Sequence, residues 1–264
     1  MINTDQLLEC AIKTATTAGA HALANLDRRT EVVQVSPHDV KLKLDLECQE
    51  IAEKIILEAF PDHSFLGEEE TADSSQLTAN SKKAEYLWIV DPIDGTVNFS
   101  HGFPIWCCSV AVQQDGKTVA AAVYAPKFDE LFTASADQPS QLNGEPIKVS
   151  STSELEKSMI FTGMDRHEIP GHEPYTLFRR LADNTQKARI AGSAALDLCR
   201  VACGQADGYF ESDIYTWDIA AAGYIIERAG GIAEVTKKYD NPHQLQYLAS
   251  NGLIHDKLKT LLEL

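Results

Sequence analysis

The residues whose types and spacing could do chemistry are acidic. Glu68-Glu69, the pair Asp91 and Asp94, and Asp218 each fall where a predicted strand ends or a predicted helix begins. A rigid element can aim a side chain from such a position. These carboxylates are far apart in sequence yet could converge in space. Held together, Glu68, Asp91, Asp94 and Asp218 would repel one another strongly, so a cluster makes sense only around bound cations. Hard oxygen donors of this kind suit Mg²⁺. The sharpest pattern is Asp91-Pro92-Ile93-Asp94-Gly95-Thr96. Pro92 stiffens the chain between two candidate ligands, Gly95 permits close approach of a ligand, and Thr96 adds a hydroxyl that can orient a water. Alone, this pattern is as compatible with a solvated turn as with a metal site, and it lacks the spacing of an EF-hand loop. Gly67-Glu68-Glu69 and Trp217-Asp218 shift the balance toward a metal site.

The elements that must position these groups are legible from periodicity. Leu7, Leu8, Ala11, Ile12, Ala15, Ala18, Ala22 and Leu26 recur at helical spacing and predict a helix over 4–29. A strand over 31–35, a loop at Ser36-Pro37-His38-Asp39 and a helix over 46–59, stopped by Pro61, follow. A strand over 63–67 leads to Glu68, and 71–83 reads as a polar surface loop. The apolar strand 86–90 runs into Asp91. Strands over 105–112 and 118–124 flank Asp115-Gly116, a hairpin turn, and Asn143-Gly144 marks another. Past about Ser150, strands alternate with helices. The predicted order is strand 159–163, helix 174–184, helix 193–203 and strand 208–211. A helix then opens at Trp217-Asp218 and ends at Gly230-Gly231, before strands 232–236 and 246–249 and a helix over 255–264. The chain is thus mixed α and β. Two tightly packed lobes are expected, 1–150 carrying most of the metal-site carboxylates and 151–264 carrying Asp218.

Composition narrows the function. Acidic residues number 39 against 23 basic ones, a formal net charge of −16. That charge argues against a general nucleic-acid binder, which needs a basic face to displace counterions, and against docking on anionic lipid. If the ligand is itself an anionic small molecule, divalent cations must attract it. A chain with 44% hydrophobic residues can bury a core without disulfides, which excludes intrinsic disorder. Cys10, Cys48, Cys107, Cys108, Cys199 and Cys203 show no zinc spacing and read as reduced thiols. The start of the chain lacks a leader-like pattern, and no apolar run approaches the ~20 residues of a membrane span. The expectation is a cytoplasmic protein without nucleic-acid or membrane partners.

Three motifs in order carry a resemblance to the inositol monophosphatase family over nearly the whole chain. Gly67-Glu68-Glu69 resembles its G-E-E. Asp91-Pro92-Ile93-Asp94-Gly95-Thr96-Val97-Asn98-Phe99 resembles D-P-[IL]-D-G-T-x-N-F, and Trp217-Asp218-Ile219-Ala220-Ala221-Ala222-Gly223 resembles W-D-x-A-A-G. The resemblance implies a layered αβαβα sandwich and Mg²⁺-dependent hydrolysis of a small phosphate monoester, inositol monophosphate first among them. No covalent enzyme intermediate is needed. It implies that Glu68, Asp91, Asp94, Asp218 and the Ile93 carbonyl hold two or three Mg²⁺ ions. Asp45 and Thr96 would orient the attacking water, with Glu68 beside them. Substrate would meet Asp94, Gly95, Thr96 and Asp218. Its alcohol would lie against Gly192, Ser193, Ala194 and Glu211, although Ser193 reads equally well as a helix N-cap. A homodimer is also implied. Enzymes of this fold acting on histidinol phosphate, 3′(2′),5′-bisphosphate nucleotides or fructose 1,6-bisphosphate share the metal site, so the motifs leave the alcohol open. A haloacid dehalogenase-type phosphatase needs its two acids two residues apart, not three. A two-carboxylate glycosidase and a catalytically silent metal-binding relative are the remaining alternatives. One departure stands out. In Asp39-Val40-Lys41-Leu42-Lys43-Leu44-Asp45, Leu42 replaces a threonine common in the family. Lys41 and Lys43 are either solvated strand positions or cations facing the site.

Overall fold

The first helix is nucleated by its own sequence. Asn3 accepts a hydrogen bond from the Asp5 N–H at 3.0 Å, and Gln6 accepts one from the Asn3 N–H at 3.4 Å, a reciprocal cap that opens α1 (Thr4–Ala24). The protein is seen here as a computed structural model that describes residues 3–35, 40–69, 85–164 and 174–264. The predicted loops at Ser36-Pro37-His38-Asp39 and 71–83 lie outside the described residues. A two-stranded ribbon, β1 (Val32–Val35) with β2 (Val40–Leu42), leads into α2 (Lys43–Ala59). That helix begins earlier than the predicted residue 46. Asp45 supplies the missing cap from inside the first turn, accepting from the Leu42 N–H at 2.7 Å.

Among the described residues the larger sheet has seven strands in chain order: β3 (Ser64–Gly67), β4 (Tyr86–Asp94), β5 (Cys107–Gln114), β6 (Lys117–Ala125), β7 (Glu130–Ser135), β8 (Gln141–Leu142) and β9 (Glu145–Pro146). β3 lies parallel to β4, and every later pair is antiparallel. Asp115 and Gly116 both take positive φ, 49° and 76°, which closes the β5–β6 hairpin with the twist its strands require. β7 and the short helix α3 (Thr96–Ser100) were not anticipated from periodicity. The smaller sheet has the order β11-β10-β12-β14-β13, built from β10 (Met159–Thr162), β11 (Lys187–Arg189), β12 (Gly208–Tyr215), β13 (Ile232–Lys238) and β14 (Gln244–Ser250). β12 does not stop at Glu211. It continues through a register shift between Glu211 and Ile214, where Ser212-Asp213 interrupts the apolar pattern.

Helices fill the spaces between and outside the sheets. α1 and α2 cover one face of the larger sheet, packing Ala11, Ala15, Ala18 and Ile56 against Trp88, Val90 and Val110. α5 (Ala194–Ala202) and α6 (Thr216–Arg228) lie between the two sheets, where Leu198 and Ile225 join Ile89, Cys107, Ala111 and Tyr209 in one core. α4 (Pro174–Asn184) and α7 (His255–Leu262) close the far side around Leu181, Phe210, Leu248 and Leu258. The layers run helix, sheet, helix, sheet, helix, as expected. Trp88 and Val90 face the outer helices while Ile89 faces the inner ones, so β4 is buried on both faces. All six cysteines are free thiols. Among the described residues no helix is long and apolar enough to cross a membrane.

Candidate metal centre and its cleft

The site forms where β4 ends. The Asp91 carboxylate accepts from the Ile93 N–H at 3.0 Å, which bends the strand so that Asp91 and Asp94 serve one corner. Gly95 then turns the chain at φ 92°, and a Cβ there would meet the Ile105 carbonyl at 2.9 Å and the Gly192 carbonyl at 3.0 Å. Only glycine fits. The Thr96 hydroxyl donates to the Ile93 carbonyl at 2.9 Å and opens α3. Asp45, paired with Thr96 in the sequence reading, accepts instead from Leu42, so this structure does not bring the two into a hydrogen bond with each other.

Site carboxylates double as helix caps. Asp45 stands at the third position of α2, and Asp218 occupies the same position in α6, accepting from the Tyr215 N–H at 2.9 Å. Asp94 reaches from β4 to the start of α5. It accepts from the Ser193 hydroxyl at 2.6 Å, the Ala195 N–H at 2.8 Å and the Ala194 N–H at 3.1 Å, with the Cys107 thiol 3.5 Å away. Ser193 therefore stands at the N-cap position but spends its hydroxyl on Asp94 rather than on its own helix. Three helix N-termini, each a partial positive charge, thus face one acidic cluster. Asn98 ties the corner to the loop before α5, donating to Ile105 O and Ala191 O at 2.8 Å each.

Oxygens of Asp91, Asp94 and Asp218 lie within 4.8 Å of one another. Glu68 follows β3 and extends its ladder, its N–H donating to Val90 O at 3.2 Å, and its carboxyl lines the same cleft as that of Asp91. Burial, and after it the charges of Asp218, Glu69 and Asp45, push Glu68 well above the usual carboxylate range. Burial followed by Glu68, Asp94 and Asp218 does the same to Asp91. Asp94 is also raised by burial, although the bonds from Ser193, Ala195, Cys107 and Ala194 oppose the shift. Carboxylates packed this way ionise together only beside a compensating cation. An all-oxygen donor set of buried aspartates is the chemistry that hard divalent ions take, so the residues fit a metal.

Above the cluster opens a cleft of about 730 Å³. Glu68, Asp91, Ile93, Asp94, Gly95, Thr96, Gly192, Ser193, Ala194, Glu211 and Asp218 all line it, whereas Asp45, given a catalytic role by the resemblance, is buried behind the wall. Gly192, Ser193 and Ala194 contribute the rim, and Ser193 and Ala194 at the same time grip Asp94. Glu211 is buried and bonded by the Tyr209 hydroxyl. Its carboxylate also fills the space beside Gly163, where a Cβ would collide with it. Sequence reasoning missed Tyr209 and Asp197, both buried in the wall. Asp197 sits in the first turn of α5, where an acidic residue reads as a solvated partner of the helix N-terminus. Its signal was the apolar run Ala194-Ala195-Leu196 before it and Leu198-Cys199 after it. Tyr215, also lining the cleft, stacks on Trp217 with ring centroids 5.1 Å apart and planes 2° from parallel. The two lysines of the unusual segment part company. Lys41 forms an ion pair with Glu69, and Lys43, exposed, lies 3.7 Å from Glu31.

Known proteins share this fold. The profile of the inositol monophosphatase family matches residues 3–263. An inositol monophosphatase of Dictyostelium discoideum is 38% identical over 235 residues, 88% of this chain and 85% of that protein. A protein of Xylella fastidiosa named Nus factor SuhB is 35% identical over 234 residues, 88% of this chain and 82% of its own length. The solved inositol monophosphatase of Anabaena superposes with a TM-score of 0.83 at 36% identity, covering 99% of this chain and 97% of that one. With fold, motif order and acidic centre in agreement, the chain belongs to the inositol monophosphatase family of metal-dependent phosphoric monoester hydrolases.

Proposed function

We propose that the protein hydrolyses inositol monophosphate with Mg²⁺, two or three ions being held by Glu68, Asp91, Asp94, Asp218 and the Ile93 carbonyl. The observation that carries this reading is the convergence of Asp91, Asp94 and Asp218 within 4.8 Å at the base of a cleft walled by Glu211 and Tyr209. Bound Mg²⁺ would supply charge neutralisation for the phosphoryl oxygens and a lowered pKa for the attacking water. The chain does the rest. Thr96, from the cleft, and Asp45, from behind its wall, are assigned to orient that water, and the N–H groups of Gly95 and Thr96 to meet phosphoryl oxygen. Glu211 is assigned to a hydroxyl of the alcohol. It is an acceptor that suits a neutral polyol and would repel a second phosphate in its place. The names of the Dictyostelium and Anabaena proteins support the inositol substrate. We further assign the protein to the cytoplasm as a homodimer, in keeping with the family.

The test is phosphate release from inositol 1-phosphate, histidinol phosphate, 3′-phosphoadenosine 5′-phosphate and fructose 1,6-bisphosphate, each with Mg²⁺ and with EDTA. The expected result is Mg²⁺-dependent turnover with preference for inositol 1-phosphate. Preference for another ester would keep the metal site and discard the substrate. EDTA-resistant turnover would overturn both.

A further inference from the structure

Two adjacent glutamates close β3, and the structure treats them differently. Glu68 lines the cleft of the carboxylate cluster, while Glu69, 8% exposed, is not part of its lining. Its carboxylate meets the Lys41 ammonium, and its main chain is gripped on both sides by Gln49 of α2. The Glu69 N–H donates to Gln49 Oε1 at 2.9 Å, and Gln49 Nε2 donates to Glu69 O at 2.8 Å. Gln49 is itself 2% exposed, and its amide crosses directly over Gly67, where a Cβ would lie 2.0 Å from Oε1. The glycine before the two glutamates is thereby explained: it makes room for the amide that holds them.

We infer that Lys41 and Gln49 are positioning residues for the metal centre, selecting Glu68 rather than Glu69 as the glutamate that faces it. Neither touches the cluster. Gln49 replaces the strand ladder just where β3 ends, completing the two main-chain bonds that an extended strand would have made. Lys41 anchors the neighbouring carboxylate on the α2 side, so that successive side chains keep opposite directions. Groups of this kind, one bond removed from a metal ligand, typically set metal affinity by fixing the ligand's orientation. Lys41 is thus neither a solvated strand residue nor a cation offered to substrate, because its charge is taken up by Glu69.

The inference rests on the assignment of Glu68 as a metal ligand, and the experiment separates the two. Mg²⁺ binding is measured by isothermal titration calorimetry on the wild-type protein and on Glu68→Gln, Gln49→Ala, Lys41→Met and Lys41→Arg, with far-UV circular dichroism on each. Gln49→Ala and Lys41→Met are expected to weaken Mg²⁺ binding about tenfold at unchanged helix content, and Lys41→Arg, which keeps the ion pair, to recover most of the loss. Lys41 is partly exposed, so its variants keep the test open should Gln49→Ala fail to fold. Affinities within twofold of wild type in both Gln49→Ala and Lys41→Met, with Glu68→Gln weakened, would overturn the brace alone. Wild-type affinity in Glu68→Gln would overturn the ligand assignment and the brace with it.

Discussion

Asp94 carries more of the site than any other single residue, because its two oxygens are pulled in two directions. One end of the demand is structural, with donors from Ser193, Ala194 and Ala195 holding the start of α5. The other is electrostatic, since the same carboxylate belongs to the cluster with Asp91 and Asp218. Asp94→Asn keeps the shape but removes the charge and turns an amide N–H toward donors that need an acceptor. The loss of one cap bond costs about 1 kcal/mol, and relief of like-charge repulsion offsets part of it. Turnover is therefore expected to fall more than about 100-fold while the melting temperature moves only a few degrees. A near-normal kcat would remove Asp94 from the site. Glu211 makes the complementary case on the alcohol side. Glu211→Ala is expected to raise KM for polyol phosphates more than for aryl phosphates, and equal changes in the two steady-state series would mean that it does not read the alcohol. Glu68, Asp91, Asp94 and Asp218 were legible in the sequence because each stands in a spaced motif with glycine, proline or tryptophan, whereas Glu211 was reached only through the family resemblance, seven residues before Asp218. Asp197 and Tyr209 stand in no motif, and only the fold brings them to the wall.

Some motif residues serve the elements rather than the chemistry. Gly223, the last residue of the tryptophan-aspartate motif, lies where α6 crosses the smaller sheet, and a Cβ there would stand 2.0 Å from the Tyr247 hydroxyl. Gly223→Ala must push the helix or Tyr247 aside, an overpacking cost of about 1–3 kcal/mol. The expected readout is a melting temperature lower by several degrees with Mg²⁺ affinity unchanged, since Asp218 sits in the first turn of the helix, ahead of the mid-helix position of Gly223. The strand β4 offers a pH-dependent case. His63 is sandwiched between Phe60 and Tyr86, with centroid distances of 4.7 and 4.5 Å, and its Nδ1 accepts from Trp88 Nε1–H at 2.9 Å. That acceptor role requires a neutral ring, and burial holds its pKa below the usual 6.5 against the opposing charges of Asp62 and Glu85. Stability from this contact is complete above pH 6.5. It declines as pH falls below that value, because the unfolded chain takes up a proton that the folded one refuses. Urea unfolding between pH 7.5 and 5 should show this slope in the wild type, and His63→Phe, which keeps the stack and cannot be protonated, should flatten it. At this scale periodicity located α4 and the β5–β6 hairpin well. It missed β7 and β11, because six residues of mixed polarity and three of which two are lysine and arginine give too short a pattern to register. The start of α2 was misplaced because its cap, Asp45, lies inside the helix it begins.

Across the whole molecule, the helices between the sheets are what make two lobes behave as one. The middle core draws Ile89, Cys107 and Phe132 from before residue 150 and Leu198, Ile225 and Tyr247 from after it. A division at 150 is therefore expected to mark topology rather than independent stability. That core also ends directly under the acidic cluster, so charge at the site bears on the stability of both halves. Without a cation, carboxyls whose folded pKa is raised are a liability at neutral pH, since the folded state must either ionise them against one another or hold protons that the unfolded chain has released. Glu68, Asp91 and Asp94 all shift in this direction. For an acid with a raised folded pKa the penalty is complete above that pKa, and it is relieved as pH falls through it. Mg²⁺ relieves it at neutral pH by binding the folded state alone. At a hundred times its dissociation constant the ion adds about 2.7 kcal/mol, which for a protein of this size corresponds to roughly 5–10 °C in melting temperature. The expectation is a single cooperative transition, with near- and far-UV circular dichroism coincident. Mg²⁺ should raise it relative to EDTA at pH 7.5, and raise it much less at pH 5, where protons compete for the same oxygens. A Mg²⁺ shift equal at the two pH values would mean that the ion is not bound by these carboxylates. Two separated transitions, only one of them moved by Mg²⁺, would mean that the halves fold apart and that the core between the sheets does not couple them.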